Sequence, residues 1–320
     1  MEIQITGNES GQRLDRFLRK YLKDFSLANI YKVIRKKYVT VDHNKVSASY
    51  LLHTGETVQI NLKRLDNREP SFEKKEQFSA KPLEVVYEDS NVLIINKEIG
   101  LLSHPEKPGA GDTLIGRVWF YLDRQGDYKP GSSPTFTPSL CNRLDRNTGG
   151  IVMAAKNYDT LRKLNALMRS RHIGKFYLTI VKGEIPGRGE ICNFIKKEQQ
   201  TNISRILAEA DPGVKPVRTN YKRLRNAAGY SLLEVELITG RSHQIRTQFA
   251  HLGHPLVGDQ KYGDPVTNNF FRNKFQLNHQ FLFAHEIEFR EAEGIDYLKG
   301  KRFSCGLPPY MEKIIKVLFY

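Results

Sequence analysis

Between residues 13 and 22, Leu14, Phe17, Leu18, Tyr21 and Leu22 recur at helical spacing, while Arg13, Arg16, Arg19, Lys20 and Lys23 take other positions. Apolar residues three and four apart share one helix face, so this stretch predicts an amphipathic helix. Ser26 is a good N-cap for a second helix. Leu27, Ile30, Val33 and Ile34 form its stripe, and it ends in Arg35-Lys36-Lys37, where cations suit the negative helix terminus. Val39–Val41 reads as a short strand, Asp42 to Lys45 as a turn, and Thr57 to Leu62 as a strand with Val58, Ile60 and Leu62 alternating. Periodicity then lapses. Lys63 to Pro82 is polar and charged, carries Pro70 and Pro82, and reads as a linker.

The pattern resumes with two apolar runs, Leu83 to Tyr87 and Val92 to Asn96, separated by Glu88-Asp89-Ser90-Asn91; this is a hairpin. Thr113 to Leu122 reads as a helix with Ile115, Val118, Trp119 and Leu122 on one face, which makes Trp119 a core residue rather than a base-stacking platform. Gln125 to Pro138 is a long connection of the kind that moves on substrate binding. Ile151 to Ala155 is a buried strand, and residues 158–171 a helix with Leu161, Leu164 and Met168 inward. In the strand Lys175 to Val181, alternation puts Tyr177, Thr179 and Val181 on one face and Phe176, Leu178 and Ile180 on the other. Tyr230 to Thr239 is a long strand, and Ser242 is the natural N-cap of a helix with Ile245, Phe249 and Leu252 as its apolar face, ending at Gly253. Phe281 to Phe289 reads as a strand, and Pro308 to Tyr320 as a closing helix that buries Met311, Ile314, Ile315 and Leu318. The predicted class is α+β: a small helix-plus-strand unit over residues 1–62, the linker 63–82, and a large unit over 83–320 built on a mainly antiparallel sheet with helices outside.

Composition narrows the partner. The chain has 320 residues, 39% of them hydrophobic, and a formal net charge of +15. It is therefore globular, and a polyanion, nucleic acid or an anionic membrane surface, is the expected partner. Cys141, Cys192 and Cys305 are odd in number and widely spaced, which argues against a disulfide framework and a metal knuckle. No apolar run reaches membrane-spanning length and the first residues lack a targeting pattern, so the expected compartment is the cytoplasm.

The candidate chemistry centres on Asn142-Arg143-Leu144-Asp145-Arg146-Asn147-Thr148-Gly149-Gly150. A carboxylate flanked by Arg143 and Arg146 is favoured in its ionised form by Coulomb attraction. The paired glycines would let substrate approach the backbone closely. A surface turn whose Asp caps backbone amides is the competing reading. Tyr177 either lines a cleft or packs in the core. Gly240-Arg241-Ser242-His243-Gln244-Ile245-Arg246 ends a strand and opens a helix, a geometry that favours anions. Arg246 can form a two-pronged pair with a carboxylate. His104 has no partner nearby in sequence, and His251 with His254 lie in a Gly-Pro turn rather than a zinc site.

Two resemblances organise these residues. Gly11-Gln12-Arg13-Leu14-Asp15-Arg16-Phe17-Leu18, the second helix and Gly55-Glu56-Thr57-Val58 resemble the small RNA-binding domain named after ribosomal protein S-four. That likeness implies structured RNA as partner, with Arg35, Lys36 and Lys37 on phosphates. Asn96-Lys97, Arg143-Leu144-Asp145, Lys175-Phe176-Tyr177-Leu178, Thr239 to Arg246, His254 to Asp259 and Lys261-Tyr262-Gly263 occur in the order expected of RluA-type pseudouridine synthases. This resemblance implies isomerisation of uridine in RNA, with large-subunit ribosomal RNA the expected substrate. It implies that Asp145 is the catalytic residue, that Tyr177 stacks on uracil, that Arg246 pairs with Asp145, and that Arg143 fills the space of the flipped nucleotide. Arg146, Arg241 and His243 are further expected RNA contacts. Asn142 stands where the family usually has His, and Gly149-Gly150 where many members carry Ser-Gly or Thr-Gly. The implied reaction needs no cofactor and no metal, and a monomer is expected. The cleft is expected between the central turn and the corner at Arg241. The alternatives are a non-catalytic RNA-binding or ribosome-assembly factor and a phosphotransferase that uses Asp145 as acceptor.

Overall fold

The computed structural model describes residues 1–22, 25–61, 78–107, 111–131, 133–198, 203–207 and 214–320. Strand β1 (Glu2–Gln4), helices α1 (Leu14–Tyr21) and α2 (Leu27–Arg35), and strands β2 (Val39–Val41) and β3 (Thr57–Ile60) form the first unit. Its sheet runs β1-β3-β2, entirely antiparallel. Leu14, Phe17, Leu18, Ile30, Val33 and Ile34 pack under it with Val58 and Ile60, as their spacing predicts. The Ser26 side chain accepts from the Asn29 amide and caps α2. Leu27 departs from its predicted place in the stripe, since it is exposed in the first turn.

The large unit begins with β4 (Glu84–Glu88) and β5 (Val92–Lys97), then α3 (Leu114–Gln125), β6 (Ser139–Leu140), β7 (Gly149–Ala155), α4 (Tyr158–Arg169) and β8 (Ile173–Lys182). It continues with β9 (Arg188–Glu198), β10 (Ile203–Leu207), β11 (Lys215–Ala227), β12 (Tyr230–Leu237), α5 (Gln244–His251), α6 (Pro265–Phe275), β13 (Leu282–Phe289), β14 (Arg302–Ser304) and α7 (Pro309–Phe319). The sheet order is β10-β9-β11-β12-β8-β13-β7-β5-β4, with β14 on β13 and β6 on β7. Every pair is antiparallel except β13 with β7. The class is the mixed, mostly antiparallel α+β arrangement expected.

Alternation along the strands divides the core into two faces. Val152 and Ala154 of β7 face α3 and α5, with Ile115, Val118, Ile245 and Phe249. Ile151 and Met153 face α4, with Leu164 and Leu167. Farther along that second face, Ile180 and Phe283 meet Phe271 of α6 and Met311 and Ile314 of α7. In the first hairpin, the Asp89 side chain accepts from the amides of Asn91 and Val92, both at 2.7 Å, the turn chemistry its sequence announces. Trp119 packs against the core and donates from Nε1 to the Pro138 carbonyl at 2.8 Å.

Residues 63–77 of the predicted linker lie outside the described residues. Its last residues are pinned rather than loose: Ser79 donates to Asp112 at 2.7 Å, Lys81 pairs with Asp112 at 3.1 Å, and the Pro82 carbonyl accepts from Arg117 at 3.1 Å. The two units touch. Glu9, fully buried, accepts from Ser133 Oγ at 2.5 Å; Gln12 donates to Thr135 at 3.1 Å; and Lys20 stands 4.6 Å from the centre of the Tyr158 ring.

Candidate active site

Asp145 stands in the turn that leads into β7, and the turn is held from several sides. Asn142 donates through Nδ2 to the Ile151 carbonyl at 3.2 Å and accepts through Oδ1 from the Met153 amide at 2.8 Å. The amide at this position thus closes the turn onto the strand it feeds. Ser103 Oγ donates to the Leu144 carbonyl at 2.9 Å. Lys97 is completely buried, and its ammonium donates to the carbonyls of Leu101, Glu98 and Arg146 at 2.7, 2.9 and 3.2 Å. Burial pushes its pKa down to about 7, against the attraction of Asp145 and Glu98.

The paired glycines serve the sheet, which corrects the expectation that substrate approaches them. Gly150 has φ +110°, and a Cβ there would lie 2.1 Å from the Ala284 carbonyl oxygen. A Cβ at Gly149 would meet Ile99 at 2.8 Å and Phe283 at 3.0 Å. Gly150 is the partner of Ala284 in the parallel pairing of β7 with β13. The two small residues let these strands close directly after the turn that carries Asp145.

Helix α5 brings the second half of the site. Residues 244–249 are all buried, polar ones included. Gln244 donates to the Arg218 carbonyl and to Thr219, and Gln248 accepts from Thr219 at 2.6 Å and donates to the Ile191 carbonyl at 3.2 Å. Glutamines therefore fasten the helix across β9 and β11. Ser242 is not its cap: His243 leads the helix at φ +57° without a side-chain capping bond. The Gln244 side chain instead accepts from the Arg241 amide at 3.1 Å. Leu252 is exposed at the helix end, outside the apolar face predicted for it.

Arg246 makes the predicted two-pronged pair, but with Asp259. Its Nε donates to Oδ2 at 2.6 Å and its Nη2 to Oδ1 at 2.7 Å. Asp259 is buried, so the pair is well shielded from water. The remaining nitrogen, Nη1, reaches Asp145 Oδ2 at 3.4 Å. His243 Nε2 stands 3.7 Å from the same oxygen. The ion pair of Asp145 thus runs to Arg246, with the His243 ring beside it, and not to its sequence neighbours. Arg143 and Arg146 are exposed. Sequence reasoning missed Asp259 as a functional residue, although Gly258-Asp259 was part of the quoted likeness.

These side chains enclose one pocket of about 310 Å³, lined among others by Asn142, Arg143, Asp145, Tyr177, Arg241 and Arg246. It lies between the central turn and the corner at Arg241, where the cleft was expected. Tyr177 is buried in the core and lines the pocket as well, so both of its readings hold together. Burial, and then the charge of Asp145, push its phenol well above the usual tyrosine range, so it stays neutral at physiological pH. His104 is exposed as a residue, yet neighbouring protein partly desolvates its ring, and this together with the nearby Arg143 holds its pKa down. Arg35, Lys36 and Lys37 lie on the surface of the first unit.

Residues 91–251 match the family described as RNA pseudouridylate synthase, and residues 12–58 match the S4 domain. The chain belongs to the RNA pseudouridylate synthase family. It is 30% identical to the ribosomal large subunit pseudouridine synthase C of Vibrio parahaemolyticus over 98% of this chain and 95% of that one. The protein of the same name from Escherichia coli K12 is 31% identical over 90% of this chain and 88% of its own length. The solved structure of human RNA Pseudouridylate Synthase Domain Containing 4 shares the fold, with a TM-score of 0.57 at 21% identity over 73% of this chain and 92% of that one. As a pseudouridine synthase, the chain isomerises its substrate: the ribose leaves uracil N1 and rejoins the same ring at C5. Its pocket offers that chemistry a carboxylate, a shielded guanidinium and a neutral phenol.

Proposed function

We propose that this pseudouridine synthase acts on uridines of large-subunit ribosomal RNA and that Asp145 is its reacting residue. The observation that carries the reading is the placement of the Asp145 carboxylate: partly exposed to one pocket, with Arg246 at 3.4 Å and Tyr177 in the same wall. The names of the two bacterial relatives support the substrate. Ribose moves from N1 to C5 of one uracil, C5 gives up its proton and N1 takes one up, so atoms and electrons balance without a co-reactant.

A uridine must leave its stack to enter the pocket, at a cost of a few kcal/mol. The neutral Tyr177 ring offers the extruded uracil a flat apolar wall. Arg143, exposed at the rim, fills the gap left in the RNA. Arg146 and Arg241 face the neighbouring strand, whereas His243, expected there too, is turned inward between Tyr262 and Asp145, and Arg246 keeps Asp145 aimed. Residues 1–62 grip RNA at a distance through Arg35, Lys36 and Lys37, and residues 83–320 perform the reaction. The enzyme works as a cytoplasmic monomer.

The test is Asp145→Asn, assayed on ribosomal RNA fragments. Pseudouridine formation should vanish while RNA affinity stays within about twofold, because the variant removes one partly exposed charge and no phosphate contact. Undiminished turnover would overturn the assignment and favour a non-catalytic RNA-binding factor. Mapping pseudouridine in large-subunit RNA from a strain without the gene tests the substrate: loss at defined uridines is expected, and an unchanged map would refute it.

A further inference from the structure

Three groups around His243 restrict where its proton can sit. His243 Nδ1 lies 2.8 Å from the Tyr262 hydroxyl, and the two rings meet edge to face with centres 5.6 Å apart. The same hydroxyl accepts from the Ser204 amide at 2.8 Å. Ser204 belongs to β10, and its own hydroxyl donates to the Ser242 carbonyl at 2.9 Å, so the strand is tied to the lead-in of α5. On the other side of the imidazole, Nε2 faces Asp145 Oδ2 at 3.7 Å.

An amide N–H can only donate, so the Tyr262 oxygen has already accepted once and retains its own proton and one lone pair. Suppose the neutral imidazole carries its proton on Nδ1. The hydroxyl then accepts a second time, its hydrogen has no recipient among the described residues, and the bare Nε2 lone pair points at a carboxylate oxygen. With the proton on Nε2 the Tyr262 hydroxyl is fully used, donating to Nδ1 while it accepts from Ser204, and Nε2–H faces Asp145 Oδ2 across 3.7 Å, an electrostatic contact longer than a hydrogen bond. Burial favours the neutral ring, while Asp145 opposes it and Arg246 and Lys261 assist.

We propose that Tyr262 fixes the tautomer of His243, so that Nε2–H faces Asp145, and that both are positioning residues for the reacting carboxylate. This rests on the reading of Asp145 as the reacting residue. Asp259 aligns the whole arrangement. It holds Arg246 by two bonds, and its Oδ1 also accepts from the amides of Lys261 and Tyr262 at 2.9 and 3.1 Å. The Arg246 guanidinium lies 5.1 Å from the centre of the Tyr262 ring. One buried carboxylate therefore places both side chains that address Asp145 Oδ2, leaving Oδ1 for the substrate. The anchor on β10 makes the tautomer depend on the seating of that strand.

The experiment uses the full chain labelled with ¹⁵N-histidine and reads the tautomer from long-range proton–nitrogen correlations. Wild type should show His243 protonated at Nε2, and Tyr262→Phe should show a mixture. Tyr262→Phe should also lower kcat by about 10- to 100-fold with little change in KM, as loss of orientation does. A second variant guards against a general structural defect. His243→Gln has no tautomer to fix, so adding Tyr262→Phe to it should lower kcat no further. Protonation at Nδ1 in wild type would overturn the proposal, as would an equal loss from Tyr262→Phe with and without His243→Gln. Asp145→Asn separates the two readings: turnover retained in it refutes the role of Asp145, whereas the tautomer measurement stands on its own.

Discussion

Arg246 and Arg35 carry the same guanidinium, yet their surroundings are opposite. Arg246 is buried, paired through two nitrogens with a fully enclosed carboxylate, and has one nitrogen left for Asp145. Arg35 ends a surface helix beside Lys36, which stands 5.8 Å from the Tyr38 ring, and Lys37, which follows at φ +59°. A cation held in a dry frame is already oriented when charge develops in the substrate, so it serves chemistry. A cation left in water is free to trade counterions for phosphates, so it serves affinity. On the proposed reading the two tasks fall to separate units.

The sharpest way to break this contrast is Asp259→Ala. It leaves Arg246 buried without its principal partner, and breaking a buried pair costs about 3–5 kcal/mol. Thermal unfolding should show that loss, and single-turnover rates should fall by roughly 100-fold as the guanidinium drifts from Asp145. A near-normal rate would mean that the frame is dispensable. Gly150→Ala comes next, at about 3 kcal/mol, because the new methyl has only the Ala284 carbonyl to displace. Chemical denaturation would show whether the strand seam yields more cheaply than this.

Neutralising Arg35, Lys36 and Lys37 together should leave kcat alone. The slope of log affinity against log salt should become shallower by up to about 3 if each cation meets a phosphate. A fall in kcat at saturating RNA would erase the division of labour. The smallest effect concerns Lys97, another buried cation. Its folded pKa is about 7, below the unfolded lysine value of about 10.4. Between those values the unfolded chain binds more protons, so this group makes stability rise with pH, by less than about 1.4 kcal/mol per unit. Lys97→Met should lose that slope in unfolding measured from pH 7 to 9.

Much of the architecture was legible because burial on one face leaves a periodic trace. The stripes of α1, α3 and α7, that of α2 apart from Leu27, and the alternation of β8 predict their places. The arm β9-β10-β11 left no such trace. Its strands carry Lys196, Lys197, Arg205, Lys215 and Arg218 on exposed positions, and such a mixture reads as loop. Helix α5 was read at its apolar positions and at Arg246, and its buried glutamines lie outside any hydrophobic period. The parallel seam of β7 and β13 joins segments more than a hundred residues apart, which no local pattern encodes. In the candidate site, Asp145, Tyr177 and Arg246 were visible as chemistry-bearing residues in a turn, an alternating strand and a strand-to-helix corner. Asp259 was not, because its value lies in a bond to a residue on another element.

The carbonyl of residue 284 occupies the space that a side chain at 150 would claim. Backbone, rather than an interchangeable rotamer, thus sets the floor under the turn that carries Asp145. Anyone redesigning this enzyme toward a different nucleoside must therefore leave the seam untouched and recruit new selectivity from the exposed rim, at positions such as 143 and 241.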